Sequence, residues 1–301
     1  MDALHVSVLL HECIENLNIR PDGIYVDGTL GMGGHSEQIA ARLTTGKLIG
    51  IDRDETAIER AGARLAPFGD RVQLVHGNFR DAAAILDRLG IDAVDGMLFD
   101  LGVSSPQLDE SERGFSYKYD GPLDLRLNPE AGISAAERLR TVARDELEGM
   151  LIENADEPYA KEISQVVTRA LRKGKKIDTT FALRDLIAEA LDFLPKDEKK
   201  EAIKKSCART FQALRIDVNN EYEVLEAFME KLPDALAPGG RAAILTFHSG
   251  EDRLVKKSMK GLYQIGIYSE YSKEVIRPSK EECIRNSRAS STKMRWAIKA
   301  E

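Results

Sequence analysis

The chain has few cysteines, and they are widely separated. Only three occur, Cys13, Cys207 and Cys283, and none belongs to a Cys-x-x-Cys pair. An odd number at such spacing argues against a disulfide framework, and the missing pairs argue against a thiolate zinc site. The sequence therefore favours a reducing compartment, and we expect a cytoplasmic protein without a structural metal.

Long hydrophobic runs are also missing. No uncharged apolar stretch approaches the roughly 18 residues that a membrane span needs. The first residues, Met1 to His5, lack the basic region and apolar core of a secretory signal. Hydrophobic residues still make up 43% of 301 positions. That is enough for a real core, and the length predicts about two domains, or one large α/β domain with an insertion.

The chain as a whole is not basic, since its formal net charge is -7. Two segments are nevertheless basic. Residues 169–176 carry five cations and no acid, and residues 277–299 carry seven cations against two acids. Local fields of this kind attract anions such as RNA phosphates even when the total charge is negative. Solvated lysines on helix faces would explain the first segment equally well and the second somewhat less well.

The first hundred residues alternate between strand and helix patterns. We predict strands at 24–27, 47–52, 71–75 and 94–100, with helices between them, which is typical of a parallel sheet. A polar loop follows at 101–132, and then helices up to about 216, the first of which begins at a capping box, Ser134-Ala-Ala-Glu137. After a turn at 237–240 we predict a further strand at 241–247, with weaker β-like runs at 262–268 and 294–298. This order predicts an α/β fold whose sheet domain comprises 1–107 and 216–301, interrupted by an inserted helical domain at 108–215.

The turn after the first strand is rich in glycine. Asp27-Gly-Thr-Leu-Gly-Met-Gly-Gly-His35 would let the backbone approach a nucleotide-like ligand. Ser36 occupies the place of the third glycine in a dinucleotide fingerprint, which argues against a pyrophosphate. Asp52 ends the second strand about twenty residues later, where a carboxylate can bind the ribose hydroxyls. The pair predicts an adenosine cofactor, although a helix cap would also explain Asp52.

Two further residues follow strand ends. Phe79 comes after the third strand, where an aromatic ring could cover an adenine or simply join the core. Asp100 ends the fourth strand and opens a polar turn that contains Ser104, Ser105 and Gln107. Ligands of open α/β sheets bind at this carboxyl edge. A carboxylate here could accept the hydrogens of an amine that receives a transferred group.

Several longer motifs resemble those of one family. They are Asp27 to Ser36, Ile51-Asp-Arg-Asp54, Asp100 to Asp109, Arg113-Gly-Phe-Ser116, Asp120-Gly-Pro-Leu-Asp124, Phe211 to Ile216 and Phe247-His-Ser249. In this respect the chain is similar to the MraW/RsmH family, the 16S ribosomal RNA (cytosine-N4)-methyltransferases, from His5 to about Arg295. The resemblance implies a class I S-adenosylmethionine methyltransferase fold with an inserted helical domain that helps hold the cytidine. It also implies a set of cofactor-binding residues: Gly33, Gly34, His35, Asp52, Phe79, Asp100 and Gln107.

The implied reaction is direct methyl transfer to the N4 amine of a cytidine in small-subunit RNA, free or assembled into the subunit. We predict Asp100 as a catalytic acceptor of the amine hydrogens or as its orienter. His248 is a second catalytic candidate, as a base or a contact to the target, although a structural histidine would fit equally well. Phe115, Tyr117 and Tyr119 could stack on a base. Arg113, Arg126, Arg209 and Arg215 could bind phosphates or the cofactor carboxylate. A homodimer is possible.

Other functions remain open. Methylation at carbon 5 of a pyrimidine needs a cysteine nucleophile, but Cys207 does not follow a proline on a strand-end loop. An NAD-dependent oxidoreductase would explain Asp52 and the glycine turn, but not the incomplete glycine spacing. The family's motifs are altered at 155–158, 205–208 and 286–291. These changes would also suit a paralogue that methylates a different RNA site, or a non-catalytic RNA-binding or assembly factor.

Overall fold

The computed structural model describes residues 7–101 and 111–301, with the side chains of Ser287 and Arg288 left out. The chain divides into two compact units. The sheet unit contains the described residues of 1–102 together with 223–301, and the helical unit contains those of 103–222. Each unit has its own hydrophobic core.

Within the described residues the sheet unit has seven strands in the order β3-β2-β1-β4-β5-β7-β6. β7 is antiparallel to β5 and to β6, whereas the other neighbours are parallel. This strand order with an antiparallel seventh strand is that of class I methyltransferases, so the predicted fold class is confirmed. The strands are β1 (Ile24–Asp27), β2 (Lys47–Asp52), β3 (Val72–His76), β4 (Val94–Asp100), β5 (Leu236–Thr246), β6 (Tyr268–Tyr271) and β7 (Lys293–Lys299).

Helices make up most of the remaining described residues. In chain order they are α1 (Leu10–Leu17), α2 (Gly34–Ala40), α3 (Glu55–Leu65), α4 (Ala82–Arg88), α5 (Ala135–Thr141), α6 (Arg144–Ala155), α7 (Ala160–Arg172), α8 (Thr180–Ala190), α9 (Lys196–Asn219), α10 (Glu221–Ala235), α11 (Ser249–Gln264) and α12 (Lys280–Arg285). None of these described helices has the length and apolar character needed to cross a membrane.

The central strands are buried on both faces, which explains why their sequences are nearly continuous apolar runs. Successive side chains of a strand point to opposite faces. In β4, Met97 and Phe99 pack with helices α4, α10 and α11, whereas Leu98 packs with α1 and α2 on the other face. The same alternation places Ile244 and Leu245 of β5 in different cores. The carboxyl ends of the parallel strands are thereby held by packing on both sides.

The helical unit has a separate core formed by α5 to α9 and the segment that precedes them. α5 begins with the predicted capping box, in which Ser134 and Glu137 bind each other's backbone N–H groups. The Asp120–Asp124 motif is bonded to the start of α8. The Gly121 N–H donates to the Thr180 hydroxyl, and the Thr180 N–H donates to the Gly121 carbonyl. In this structure the motif therefore serves the packing of the helical unit.

Three local predictions were incomplete or wrong. The turn at 237–240 lies inside β5 as an irregularity, since Leu236 pairs with Val94 and Arg241 already pairs with Gly96. The sequence pattern also missed α10, which contains a proline at position 233. The predicted β-like run at 262–268 was wrong for its first half, because α11 continues to Gln264 and β6 begins only at Tyr268.

Candidate active site

Three aspartates end three strands of the sheet unit. Asp27, Asp52 and Asp100 are the last residues of β1, β2 and β4, and β1 lies between the other two strands. Because these strands are parallel, their carboxyl ends meet at one edge, where α/β sheets bind their ligands. The sheet thus places three carboxyl groups on neighbouring strand ends, as the sequence pattern predicts.

The glycine turn lies between β1 and α2. Gly31 and Gly33 have φ angles of 50° and 74°, in the left-handed region that favours glycine. A Cβ on Gly34 would lie 2.2 Å from the Ser7 hydroxyl, so a side chain cannot be added there without a shift. The backbone N–H of Gly31 donates to Asp52 Oδ2 over 2.8 Å. The turn and the strand-end acid therefore form one hydrogen-bonded unit.

Asp52 retains acceptor capacity beyond the bonds it makes within the protein. Its Oδ2 accepts the Gly31 N–H, and its Oδ1 accepts the Asp54 N–H over 2.9 Å. An ionised carboxylate has about four lone-pair positions, so roughly two remain for a ligand. Burial raises the pKa of Asp52 above its ordinary value, while these two backbone bonds oppose the rise. A half-buried carboxylate with spare lone pairs fits a vicinal diol such as that of a ribose.

Asp27 is the most deeply buried of the three aspartates, with 2% of its surface exposed. Its Oδ2 accepts the Ser36 hydroxyl over 2.7 Å, and its Oδ1 accepts the Thr29 N–H over 3.2 Å. Burial raises the pKa of Asp27 to about 6, and the charge of Asp52 adds to the rise, whereas the two hydrogen bonds oppose it. Asp27 thus ties the start of α2 to the glycine turn.

Thr29 connects the glycine turn to Asp100. The backbone N–H of Asp100 donates to the Thr29 hydroxyl over 2.6 Å, and the Thr29 N–H donates to Asp27. A continuous set of hydrogen bonds therefore runs from Ser36 through Asp27 and Thr29 to the end of β4. The positions of the glycine turn and of Asp100 depend on each other through these bonds.

The structure also shows where the other residues lie that the sequence offered for the cofactor site. His35 is buried, and its Nε2 lies 3.1 Å from the Val8 carbonyl oxygen, so it anchors the segment before α1. Phe79 is half-buried, with its ring centroid 5.9 Å from that of Phe99 and 5.1 Å from that of Phe228. This packing fixes the ring while leaving part of it exposed. Gln107, Ser104 and Ser105 lie outside the described residues.

His248 caps helix α11 directly after β5. Its Nδ1 accepts the Glu251 N–H over 3.4 Å, and its Nε2 lies 3.2 Å from Glu251 Oε1. The side chain is only 8% exposed. The Glu251 carboxylate in turn accepts the Phe247 N–H over 2.9 Å. A carboxylate that orients a histidine is a common device for a base, and it is equally a stable helix cap.

Most of the arginines that the sequence offered as phosphate ligands bind within the helical unit. Arg126 forms a two-pronged pair with Asp124, at 2.7 and 2.8 Å. Arg215 pairs in the same way with Glu221, at 2.8 and 3.0 Å. Arg113 donates to the backbone carbonyls of residues 126 and 127. Among the described residues Arg209 forms no ion pair or hydrogen bond, so it alone of the four remains available.

Some of the basic and aromatic side chains that the sequence offered as RNA contacts are instead bound within the protein, whereas others are exposed. In the C-terminal segment Arg295 is buried against Asp252 at 2.7 Å, and Lys299 donates to the Leu236 carbonyl. At 172–176, by contrast, the four cations are exposed. Of the three aromatic candidates for base stacking, Phe115 is buried and Tyr117 packs on Phe211. Tyr119 remains 58% exposed.

Cys207 is unsuited to be a nucleophile. It is 1% exposed on α9 in the core of the helical unit, and burial raises the pKa of its thiol to about 12. The thiolate is the reactive form of cysteine, and almost none of it would exist near neutral pH. This placement argues against methylation of a pyrimidine at carbon 5.

The sequence interpretation did not single out Thr29 and Glu251 individually. Both act through side-chain contacts to backbone groups, Thr29 across 71 positions to Asp100 and Glu251 across four positions to Phe247. A glutamate three positions after a capping residue is a recognisable signal, so Glu251 could have been found as part of a helix cap. No local pattern predicts the contact of Thr29.

Comparisons with known proteins match this chain to one family. A family model described as the MraW methylase family matches residues 2–300. Ribosomal RNA small subunit methyltransferase H 1 of Lachnoclostridium phytofermentans is 56% identical over 301 residues, covering 99% of this chain and 82% of the relative. The protein of the same name from Agathobacter rectalis is 55% identical over 302 residues, covering 99% and 86%. Ribosomal RNA small subunit methyltransferase H 2 of Agathobacter rectalis is 43% identical over 312 residues, covering 98% of each chain.

Proposed function

The chain belongs to the MraW methylase family, and from this premise we propose that it methylates the N4 amine of a cytidine in the RNA of the small ribosomal subunit. As a member of that family it is a methyltransferase that takes its methyl group from S-adenosylmethionine. When bound, this cofactor supplies a methyl group activated by a positively charged sulfur. The observation that carries the proposal is the strand-end edge, where Asp52 is bonded to the glycine turn and Asp100 to Thr29.

The proposed cofactor site uses the residues around this edge. Asp52 would accept the two ribose hydroxyls with its free lone pairs, and the turn with Gly33, Gly34 and His35 would face the rest of the cofactor. Phe79, held by Phe99 and Phe228, would cover one face of the adenine. Gln107 is assigned to the site only by the family resemblance. The negative edge suits a cationic ligand, because opposite charges stabilise each other strongly in a partly buried place.

The role of Asp100 follows from the chemistry of the acceptor. The N4 amine of cytidine is a weak nucleophile, since its lone pair is shared with the ring. Rate acceleration must come mainly from holding nitrogen and methyl carbon about 3–3.5 Å apart and in line. Asp100 would accept a hydrogen bond from the amine, which orients the lone pair and provides an acceptor for the proton that the product sheds. Thr29 would hold the backbone of Asp100 in place.

His248 is the second proposed catalytic group. In one interpretation Glu251 orients its ring as a base or a target contact, and in the other the pair only caps α11. His248→Asn can keep the cap, because its side-chain oxygen accepts a backbone N–H. It cannot act as a base. A fall in the rate with unchanged stability would assign the first role, and an unchanged rate would assign the second.

The inserted helical domain, which we propose at 108–215, would recognise the RNA. Exposed cations at 172–176 and the exposed Tyr119 are the features that support this. We propose the RNA or the assembled small subunit as the partner, and cytoplasmic action follows from where ribosomes assemble. A homodimer is a further proposal, which the mass of the protein in solution would test.

The decisive experiment is mass spectrometry of nucleosides from small-subunit RNA. Cells that lack this gene should lose N4-methylated cytidine, the wild-type gene should restore it, and the Asp100→Asn gene should restore little. Unchanged N4-methylcytidine in cells without the gene would contradict the proposal. Titration of the purified protein with S-adenosylmethionine distinguishes an enzyme from an assembly factor, since only the enzyme must bind it.

A paralogue with a different target site is the second candidate function. Agathobacter rectalis contains two relatives with the same name, numbered 1 and 2, and this chain is 55% identical to one and 43% identical to the other. Two enzymes of one name in one organism favour divided targets. Mapping the methylated cytidine by mass spectrometry of RNA fragments would show whether the position matches that of either relative.

A further inference from the structure

The solvent face of helix α11 carries a cluster of positive charges. Lys256, Lys257 and Lys260 are exposed and follow the spacing i, i+1, i+4, which places them together on a helix. Arg253, one turn earlier, lies on the same face. The opposite face contains Val255 and Met259, both fully buried. Packing therefore fixes the helix and turns the lysines to solvent.

No acid neutralises these lysines in the described part of the chain. The acids of α11 lie in its first turn, and Asp252, four positions before Lys256, is already bound by Arg295 at 2.7 Å and Lys293 at 3.6 Å. Two lysines of α9 differ, because Lys199 pairs with Asp192 and Lys205 lies 3.5 Å from Glu201. In a chain with a net charge of -7, this stripe and the exposed cations at 172–176 are local concentrations of positive charge.

An exposed aromatic ring borders the stripe. Tyr263 follows Lys260 by three positions, is 42% exposed, and is held by the ring of Tyr271 with the centroids 5.1 Å apart. Cations beside a fixed and exposed aromatic ring are the usual elements of a surface for single-stranded nucleic acid. The cations bind phosphates and the ring stacks on a base.

The stripe begins near the proposed active site. α11 starts at Ser249, directly after β5, so its first residue lies at the carboxyl edge of the sheet. With a rise of 1.5 Å per residue, the three lysines lie about 10–17 Å along the helix axis from that edge. This distance suits nucleotides that flank a target base.

We propose that Lys256, Lys257, Lys260 and Tyr263 form a binding surface for a single-stranded RNA segment next to the methylated nucleotide. This inference rests on the proposed function, and it names a contact surface for the same substrate. A membrane surface is less suited, because the apolar side chains Val255 and Met259 of α11 are buried and cannot insert. Ile265 just beyond the helix is 71% exposed, so anionic vesicles are included in the test.

The test uses the full chain with S-adenosylhomocysteine and a fluorescein-labelled cytidine 20-mer RNA as the probe. Binding is measured by anisotropy between 50 and 200 mM KCl. The triple variant Lys256→Ala, Lys257→Ala, Lys260→Ala should bind at least about tenfold more weakly at the lowest salt. The slope of log affinity against log salt should become shallower by about two, since each phosphate contact on a single strand contributes roughly 0.7.

Two control variants isolate the surface. Lys47→Ala, Arg60→Ala, Arg88→Ala removes the same charge from scattered exposed positions of the sheet unit, and it should leave the slope unchanged. Tyr263→Phe should keep the affinity, while Tyr263→Ala should weaken it about five- to tenfold, in the range of one lost stacking contact. Circular dichroism and the affinity for S-adenosylmethionine should be the same for all of these proteins.

The outcomes separate this proposal from the proposed function. If the wild type methylates and binds RNA but both triple variants show equal slopes, the surface is wrong and the function stands. If the wild type neither binds RNA nor methylates it, both proposals fall. If the lysine variant loses binding only to vesicles of 30% phosphatidylserine, the surface serves a membrane and the RNA proposal is overturned.

Discussion

The hydrogen bond between Thr29 and Asp100 provides a direct test of how the site is held. The Asp100 N–H donates to the Thr29 hydroxyl over 2.6 Å, and the residues are partly buried. Thr29→Val keeps the shape of the side chain and removes the acceptor. Leaving a buried donor without a partner costs about 1–3 kcal/mol. Because water can reach a partly buried group, we expect the lower half of that range, about 1–2 kcal/mol.

If this cost falls on the active conformation, the rate should drop about 5- to 30-fold, since about 1.4 kcal/mol corresponds to a factor of ten. The assay measures kcat and KM for methyl transfer to small-subunit RNA, and the affinity for S-adenosylhomocysteine by calorimetry. We expect most of the loss in kcat, because in the proposed mechanism Asp100 accepts a hydrogen bond from the amine. Thr29→Ser keeps the hydroxyl and should retain activity close to that of the wild type.

A matched control is available in the helical unit. Thr210 is 2% exposed, and its hydroxyl has no hydrogen-bond partner among the described residues. Thr210→Val makes the same chemical change without removing a bond, so it should be neutral or slightly stabilising. A folded Thr29→Val protein with wild-type kcat would refute the view that Thr29 positions Asp100.

Three further predictions concern single side chains. Asp52→Asn should lower the affinity for S-adenosylmethionine about 10- to 100-fold, measured by calorimetry, because the amide offers one acceptor oxygen instead of two; a change below twofold would contradict the ribose contact. Burial raises the pKa of Asp27 to about 6 from 3.8, so the folded state binds the proton more tightly than the unfolded state, and this group's contribution to stability should fall by about 3 kcal/mol as pH rises from below 4 to above 6. Urea unfolding across that pH range should show this extra slope for the wild type and not for Asp27→Asn. Cys207→Ala should retain at least half of the methyltransferase rate, since the buried thiol has a pKa of about 12; complete loss in a folded variant would restore the cysteine mechanism.

The alternation of strands and helices predicted much of the fold, because each strand of the first half is an uninterrupted apolar run with a turn signal after it. The structure confirms β1, β2, β3 and β4 within one residue of their predicted bounds. The predicted family, methyltransferase activity and cofactor are confirmed by the match over residues 2–300. Pattern reasoning failed at Leu236 to Gly240, because glycine and proline predict a turn equally well when they form an irregularity inside a strand.

The arginines show a second limit of sequence reasoning. Arg215 stands in a motif that resembles the family's, and Arg126 follows another such motif by two positions. A free guanidinium at either place would suit a phosphate. In the structure both form two-pronged pairs with Asp124 and Glu221. Asp124 is two positions from its partner and Glu221 six, but proximity in sequence does not predict which acid a flexible side chain selects. Only the folded helical unit shows which acid each of these arginines pairs with.

The electrostatics of the strand-end edge depend on burial that no local pattern encodes. Burial raises the pKa values of both Asp27 and Asp52, and the charge of Asp52 raises that of Asp27 further. Burial therefore destabilises the ionised form of these two carboxyl groups, and a positively charged ligand placed nearby would stabilise that form. S-adenosylmethionine carries such a charge on its sulfur, whereas S-adenosylhomocysteine, its demethylated product, does not. If this edge is the cofactor site, as we propose, we expect it to bind the charged cofactor more favourably than an uncharged analogue of the same shape, and this preference would help the spent cofactor to leave after each transfer.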